Sequence, residues 1–378
     1  NVLLVFMISL QIGMYGMMIN NTLRAQTGHL QVQAPGYNED HKMRQVVPDV
    51  QGLAKTLREG LATDEVAARA SAFALVSSAD RSYGLQITGV EPEFESRVSS
   101  LPGLIRDGRF FGNAAAEEII IGRVLARNLQ VEVGDELTFI GSGRDGSFAA
   151  AVVTVVGIFE SGMPEMDRSF AEVPLDFFQD VFAMEGAGHA VAIMAPGLIQ
   201  VGATRTRAEA LLPEAEDLVV HDWDALLPGL KQAIQADFTS AWFMYGILIV
   251  LVAFSVLNTQ LMSVLERTKE FGIVMSLGVT PGRLGRLVLL ETALMGSVGL
   301  TLGVLLGGAL VLWFGYFGFS FPGMEAMAGK FNLPSRIYPQ VSFIGLLFGP
   351  MVILVSSVIA SFYPAVKLRF MEPVAAMR

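Results

Sequence analysis

The sequence predicts an α-helical membrane protein with four transmembrane helices and a large mixed α+β extracytoplasmic domain inserted between helices 1 and 2. Two observations predict it. Of 378 residues, 52% are hydrophobic and only 16% are charged, an imbalance foreign to an average soluble chain. Four apolar stretches each reach the roughly 20 residues that a helix needs to cross a bilayer, and one long acidic stretch separates the first from the second. Residues 24–237 hold 17 Lys and Arg against 31 Asp and Glu, while the rest of the chain holds 9 against 5.

The first span is placed at 1–23, which carries no charge before Arg24. It starts without an initiator Met or flanking Lys/Arg, so a short cytoplasmic leader is expected before Asn1. A cleaved signal peptide is the competing reading, but no small-residue cleavage pattern follows. The second span is placed at 239–264, inside a charge-free interval from Asp237 to Glu266. The third falls at 284–318 and the fourth at 341–363, where Pro350 is expected to kink the helix.

Lys and Arg near the span ends set the orientation. Arg267, Lys269, Arg283 and Arg286 lie between spans two and three, and Lys367, Arg369 and Arg378 lie in the tail at 364–378. The short loop at 319–340 carries only Lys330 and Arg336. The positive-inside rule makes the 265–283 segment and the tail cytoplasmic, and residues 24–238 external. A domain of that size translocates largely regardless of its acidity.

The 265–283 segment reads as a surface helix. Phe271, Val274 and Leu277 recur at helical spacing beside Glu266, Arg267, Lys269 and Glu270, an amphipathic pattern of about three turns. Gly278 suits a helix C-terminal cap, and Thr280-Pro281 suits the N-cap and first position of the next helix. A charged helix held between two spans can accept a push from a cytoplasmic partner; an interfacial anchor with no partner explains the same amphipathicity.

In span three, Gly296, Gly299, Gly303 and Gly307 fall on one face in small-xxx-small steps, which predicts close packing against another helix of this chain or of a second one. Glu291 sits just inside the cytoplasmic end, placed to snorkel or to pair with an Arg. Span one offers Met7, Met14, Met17 and Met18, flexible apolar surface that suits varied acyl chains and suits ordinary helix packing equally.

The external region mixes strand-rich runs ("GHLQVQAPGY", "SYGLQITGVEP", "AAAVVTVVGIFES") with helical patterns at 50–60 and 203–215. "EEIIIGRVLARNLQVEVGDELTFIG" reads as strand, short helix, then a strand entered through Gly134 and Asp135. The expected division is a discontinuous α+β part, 24–101 with 176–238, and an inserted β-rich part, 102–175.

No catalytic constellation emerges. There is no Cys, and His29, His41, His189 and His221 are scattered without the spacing of a metal site. Hence no metal and no catalytic residue is expected. The stretch "GMEAMAGKF" from Gly323 has one residue too many between its glycines for a phosphate loop, and Phe331 replaces the magnesium-binding Ser/Thr. The acidic balance also excludes nucleic acid as a partner.

"ERTKEFGIVMSLG" from Glu266 and "LLETALMG" from Leu289 resemble the core signature of FtsX/MacB-type ABC transporter permeases, E-R-x-x-E-F/I-G-x-x-x-x-L-G followed by L-x-E-x-x-L-x-G. The ending "YPAVKLRFMEPVAAMR" is similar to that family's Y-P-A-x-x-A-x-x-x-x-P-x-x-A-L-R, departing at Val366–Arg369 and at Met377. "GIFESGMPEMDRSFAEVPL" from Gly157 looks like the corresponding run of the lipoprotein-releasing Lol permeases (LolC/LolE-like), G-I-F-x-S-G-M-x-x-x-D-x-x-x-A-x-x-x-L.

The resemblance implies a non-catalytic permease subunit in a bacterial inner membrane, with its large domain in the periplasm. It implies that Glu266, Arg267, Lys269, Glu270, Phe271, Gly272 and Gly278 dock an ABC ATPase, present in two copies, which carries the ATP and magnesium. It implies dimerisation through the first two spans with a second permease, identical or paralogous. Gly162, Met163 and Pro164 become a candidate loop for cargo or for a periplasmic lipoprotein or lipid carrier, and a structural turn explains them too. Extraction of lipoproteins or related lipids from the outer leaflet is the leading expectation. A MacB-type mechanotransmission module driving periplasmic efflux, with trimeric adaptor and outer-membrane channel partners, is one rival, and an FtsX-like signalling scaffold acting on a cell-wall hydrolase is the other.

Overall fold

The computed structural model describes residues 1–213, 216–320, 322, 324 and 336–368. The stretch from Gly323 to Phe331, Arg369, Met377 and Arg378, read above from sequence, lie outside or mostly outside the described residues.

In chain order, α1 (Val2–Gln26) leads into β1 (Leu30–Gln33), α2 (Tyr37–Asp40) and α3 (Val50–Leu61). A long hairpin follows, β2 (Val66–Ser77) and β3 (Ser82–Val90). Then come α4 (Pro92–Val98), β4 (Ile105–Gly108), β5 (Glu118–Gly122), α5 (Arg123–Leu129) and a second hairpin, β6 (Glu136–Ser142) and β7 (Phe148–Phe159). Next are α6 (Pro164–Ser169), β8 (Phe170–Pro174), α7 (Leu175–Val181), β9 (Ala190–Ile193), α8 (Val201–Glu209), β10 (Val219–Asp222) and α9 (Trp223–Leu226). Four helices close the described chain: α10 (Pro228–Glu266), α11 (Thr268–Ser276), α12 (Pro281–Phe317) and α13 (Phe343–Lys367).

Among the described residues, four helices are long and apolar enough to span a membrane: Val2–Ala25, Pro228–Glu266, Pro281–Phe317 and Gly345–Lys367. Helix α10 begins eleven residues before the apolar run expected at 239–264. Hydropathy marks only the stretch suited to hydrocarbon, whereas Lys231, Gln232, Gln235 and Asp237 continue the same backbone hydrogen bonding as good or neutral helix formers. Helix α12 starts at Pro281 behind an extended Thr280, where the missing N–H of proline costs nothing. Helix α13 runs through both Pro350 and Pro364.

The chain divides into two compact units. One comprises 1–15, 232–320 and 336–368 of the described residues; the other is essentially 16–231. Within the first, glycines of α12 and α13 let α1 approach closely. A Cβ on Gly303 would stand 2.3 Å from the Asn1 side chain, one on Gly307 would stand 3.0 Å from Val5, and one on Gly349 would stand 2.6 Å from Leu4. Asn1 Nδ2 donates to the Gly299 carbonyl at 2.9 Å. Gly296 instead faces Leu354 of α13. The glycine face of α12 therefore seats helices of the same chain.

The second unit is built on ten strands ordered β10-β1-β9-β2-β3-β8-β5-β7-β4, with β6 bonded to both β2 and β7. That double pairing closes β2-β3-β8-β5-β7-β6 into a ring, so these strands present no free edge along their paired lengths. Strand β2 is the hub. Its first residues pair with β9, its last with β6, and nine of its residues pair with β3. Strands of the two parts distinguished from sequence thus share one sheet, through β2 with β6 and β3 with β8.

The core inside this sheet holds Leu85, Ile87, Ile119, Ile121, Phe139, Val155 and Val173, all essentially buried. Helix α3 covers one face with Val50, Leu53, Ala54, Leu57 and Leu61, the i, i+3, i+4, i+7 pattern of an amphipathic helix. Its first turn is capped by Asp49, whose carboxylate accepts from the Gly52 N–H at 3.2 Å.

Candidate functional site

The helices of the first unit create a cleft. Side chains of α1 divide by face: Leu4, Val5 and Ile8 meet the glycines of α12 and α13, while Met7, Leu10, Gln11 and Met14 turn to α10. With Asp237, Ser240, Ala241, Met244 and Tyr245 they line a cleft of about 360 Å³. Of the four methionines singled out from sequence, Met7 and Met14 line it. Met17 and Met18, half-buried, do not.

Met244, on the opposite wall, carries no more sequence signal than the other apolar residues of its span. Nor does the polar strip beside the cleft. The Tyr245 hydroxyl donates to Gln11 Oε1 at 2.7 Å, Gln11 Nε2 donates to the Tyr15 hydroxyl at 2.7 Å, and that hydroxyl donates to Asp237 Oδ2. Four residues of two helices are thereby tied in one directed chain. In hydrocarbon such groups find their partners within the protein.

At the turn between α10 and α12, α11 is pinned from within. Phe271 is 3% exposed and Met275 is 8% exposed, in one cluster with Val264, Leu284, Val288 and Leu368. Gly272 is buried as well. Arg267 reaches Glu270 at 3.2 Å and Glu291 at 3.2 Å and lies over the Phe271 ring, 5.3 Å from its centroid. The Glu270 hydrogen bond, with help from Glu291, raises the Arg267 guanidinium further above its already high range. Glu291, read from sequence as free to snorkel or pair, is paired.

The docking residues expected from the resemblance therefore divide. Arg267, Phe271 and Gly272 face the chain's own helices, whereas Glu266, Lys269, Glu270 and Gly278 are exposed. Leu277, grouped with Phe271 by spacing, is 80% exposed, and Ile273 is 55% exposed. The apolar face that is buried is set by the i, i+4 pair Phe271 and Met275, which leaves Ile273 and Leu277 outward. Gly278 ends the helix at φ 97°, a left-handed conformation that favours glycine.

In the second unit, the Gly162-Met163-Pro164 loop is held stiffly. Asp167, 4% exposed, accepts from the Ser161 N–H at 2.9 Å and from the Ser161 hydroxyl at 2.6 Å, and Ser161 Oγ in turn accepts from the Met163 N–H at 3.1 Å. Gly162 adopts φ 79° and Pro164 opens α6. Met163 is 42% exposed on this support. Ser161 and Asp167 are the Ser and Asp of the G-I-F-x-S-G-M-x-x-x-D pattern, so the signal was in the sequence although the bond between them was not.

The same unit buries charge. Arg69 grips Glu95 with two hydrogen bonds, 2.6 and 3.1 Å, and Glu95 is fully buried. Glu172 lies in the same cluster, 2% exposed. Burial and the neighbouring Glu95 charge push its carboxyl well above the usual range, and Arg69 only partly opposes them. One guanidinium thus acts electrostatically on two carboxyl groups, and Glu172 binds its proton more tightly than an exposed carboxyl does. A polar cavity of about 230 Å³ touches Gln31, Gln33, Arg69, Thr88, Glu172 and His189.

The two buried histidines, His29 and His189, act as fasteners. His189 Nδ1 accepts from the Ser71 N–H at 2.9 Å, its Nε2 donates to the Met43 carbonyl at 3.3 Å, and its ring stacks on Tyr37 at 4.9 Å. Burial pushes the imidazole down to about 4. His29 likewise bridges Ala195 and Asn20.

The MacB-like periplasmic core domain family matches residues 2–211, and the FtsX-like permease C-terminal family matches residues 242–373. The lipoprotein-releasing system transmembrane protein LolC of Xylella fastidiosa is 25% identical over 319 residues, covering 79% of this chain and 74% of its own. LolC of Neisseria meningitidis serogroup B is 26% identical, covering 81% and 75%. The lipoprotein-releasing system transmembrane protein LolE of Haemophilus influenzae is 23% identical, covering 85% and 79%.

Proposed function

The chain belongs to the MacB/FtsX family of ABC transporter permeases, and from that premise we propose that it draws lipoproteins or related lipids out of the outer leaflet of a bacterial inner membrane and hands them to a periplasmic carrier. The observation that carries this reading is the methionine-walled cleft between α1 and α10. An acyl chain keeps about 0.8 kcal/mol per methylene while it stays on apolar surface and loses it in water. A lateral apolar groove therefore suits a lipid cargo, and Met7, Met14 and Met244 conform to chains of different shape.

ATP and magnesium belong in this reading to a separate ATPase, two copies per assembly, pressing on the outward face of α11. Lys269, Ile273 and Leu277 supply that contact. Arg267 and Phe271 transmit the push, because they lock α11 to α12 and to the end of α10. A second permease, identical or paralogous, covers the bare apolar side of α10, where Phe243, Leu251 and Phe254 are each 60% exposed or more. The Met163 loop meets cargo or carrier.

A photoreactive side chain at Met14 tests the cargo. Lipid-modified protein or lipid labelled there in an ATP-dependent manner supports extraction. Labelling confined to outer-domain positions, with no lipid at Met14, would favour mechanotransmission of the MacB type and sink the proposal. Coupling is tested by Ile273→Asp with Leu277→Asp, which should abolish stimulation of the ATPase while leaving thermal stability within about 0.5 kcal/mol, as for exposed sites.

A further inference from the structure

Among the described residues, Asp237 is the only acidic or basic side chain on the wall of the α1–α10 cleft. Along α10 the next acidic or basic residues are Lys231, before it, and Glu266, far beyond it; α1 contributes no charge to the cleft. Among the described residues Asp237 forms no salt bridge. Its partner is the Tyr15 hydroxyl on Oδ2, and Oδ1 accepts no hydrogen bond there. The directed chain from Tyr245 through Gln11 and Tyr15 ends on this carboxylate, so both hydroxyl donors are spent and Oδ1 is left open to a donor from outside.

Depth narrows what that donor is. Asp237 precedes Trp242 by five positions, about 7.5 Å along a helix. Tryptophan marks the membrane–water interface, which puts Asp237 at the level of lipid head groups and the walls of Met7, Leu10, Met14 and Met244 beside the acyl region. A phosphate or carboxylate terminus would be repelled there, and a quaternary ammonium has no N–H to give. A primary ammonium supplies both charge and donor, and charge-assisted hydrogen bonds are roughly twice as strong as neutral ones.

We propose that Asp237 is the head-group-reading end of the cleft, and that the site takes a membrane lipid with a primary ammonium head, its N–H groups on Oδ1 and a chain along the methionine wall. This rests on the reading of the cleft as an amphiphile groove and adds to it the chemical class of the occupant. A lipid is favoured over a basic peptide because only a lipid's ammonium is confined to this depth.

The test uses the full chain extracted from bilayers containing equal amounts of phosphatidylethanolamine and phosphatidylglycerol, with retained lipids counted by mass spectrometry. The wild type should enrich phosphatidylethanolamine about threefold to tenfold, as a charge-assisted contact allows. Asp237→Asn should return the ratio to near parity, and Tyr15→Phe, which keeps the carboxylate, should preserve the enrichment. Parity in the wild type, or enrichment unchanged in Asp237→Asn, overturns the assignment. Ala241→Trp, which fills the cleft, separates the two levels: if it leaves total retained lipid unchanged, the groove itself is refuted. If it removes the lipid while Asp237→Asn leaves the ratio alone, only the head-group assignment fails.

Discussion

The strand-built unit and the helical unit handle polarity in opposite ways. In the first, Arg69 of β2, Glu95 of α4 and Glu172 of β8 are 7%, 0% and 2% exposed, and Arg69 and Glu172 border a polar cavity within a unit whose core is otherwise apolar. In the second, apolar side chains face outward along α10 and α12, and the inward contacts include, besides the apolar cluster around Phe271, glycines and a short chain of hydroxyl, amide and carboxylate groups. The difference follows from the solvent each must satisfy. Water rewards burying hydrocarbon, so a strand unit can hold a charged cluster only if each member is paired or neutralised. Lipid gives no reward for apolar contact between helices, so close backbone approach and hydrogen bonds supply the specificity.

The largest effect that would break this comparison is expected at Arg69. Arg69→Met leaves Glu95 and Glu172 buried together without their shared cation and should destabilise the strand unit by about 3–5 kcal/mol, read as a fall in the thermal unfolding midpoint of the purified chain. A loss below about 1 kcal/mol would mean that the cluster is not an electrostatic support.

The second effect is a pH dependence at His189. Its folded value of about 4 lies below the ordinary 6.5, mainly through burial, with smaller contributions from Arg144 and His41. The unfolded chain then binds the proton more readily, so the contribution is complete above about 6.5 and is lost as pH falls toward 4, up to about 3 kcal/mol. Glu172, shifted upward, acts with the opposite sign over part of that window, so the measurement is a difference. Thermal midpoints of wild type and His189→Gln, taken from pH 7 to 4, should converge as the wild type alone loses this share.

A smaller effect is expected in the helical unit. Gly303→Leu drives a side chain into Asn1 and should cost about 1–3 kcal/mol, measured as earlier unfolding in detergent, whereas Gly299→Ala, with its nearest foreign atom 3.8 Å away, should be nearly silent. The smallest is Gln11→Leu, which cuts the chain between Tyr245 and Tyr15. Interhelical hydrogen bonds in membranes average about 0.6 kcal/mol, so stability should barely move; a loss several times larger would make the polar chain, and not the glycines, the main tie of α1.

Much of this was legible in the linear chain. The four spans are regions of uninterrupted apolar sequence, and the α11 region was marked by charge beside helical periodicity. Strands β3, β5, β6 and β7 alternate or run apolar with β-branched residues. Strand β2, the hub of the sheet, was not visible, because Ala67, Ala68, Ala70, Ala72 and Ala74 favour helix in isolation and extend here only because partners flank them on both sides. At the site, the methionines of α1 and the Ser161 and Asp167 letters could be read. Phe271 could not be assigned to an inner or outer face, since an amphipathic helix joining two spans offers an apolar stripe that either its own chain or a partner can cover.

By itself, then, the sequence determined which stretches prefer hydrocarbon, which end of each is positive, and where the backbone turns, because hydropathy, charge and the conformational range of glycine and proline are properties of local composition. Only the tertiary structure decided that β6 closes a ring, that Glu172 shares the Arg69 of Glu95, and that Tyr245, Gln11, Tyr15 and Asp237 form one chain across two helices. Those arrangements join residues up to more than 200 positions apart, and pairing at that distance depends on packing, which no local pattern encodes.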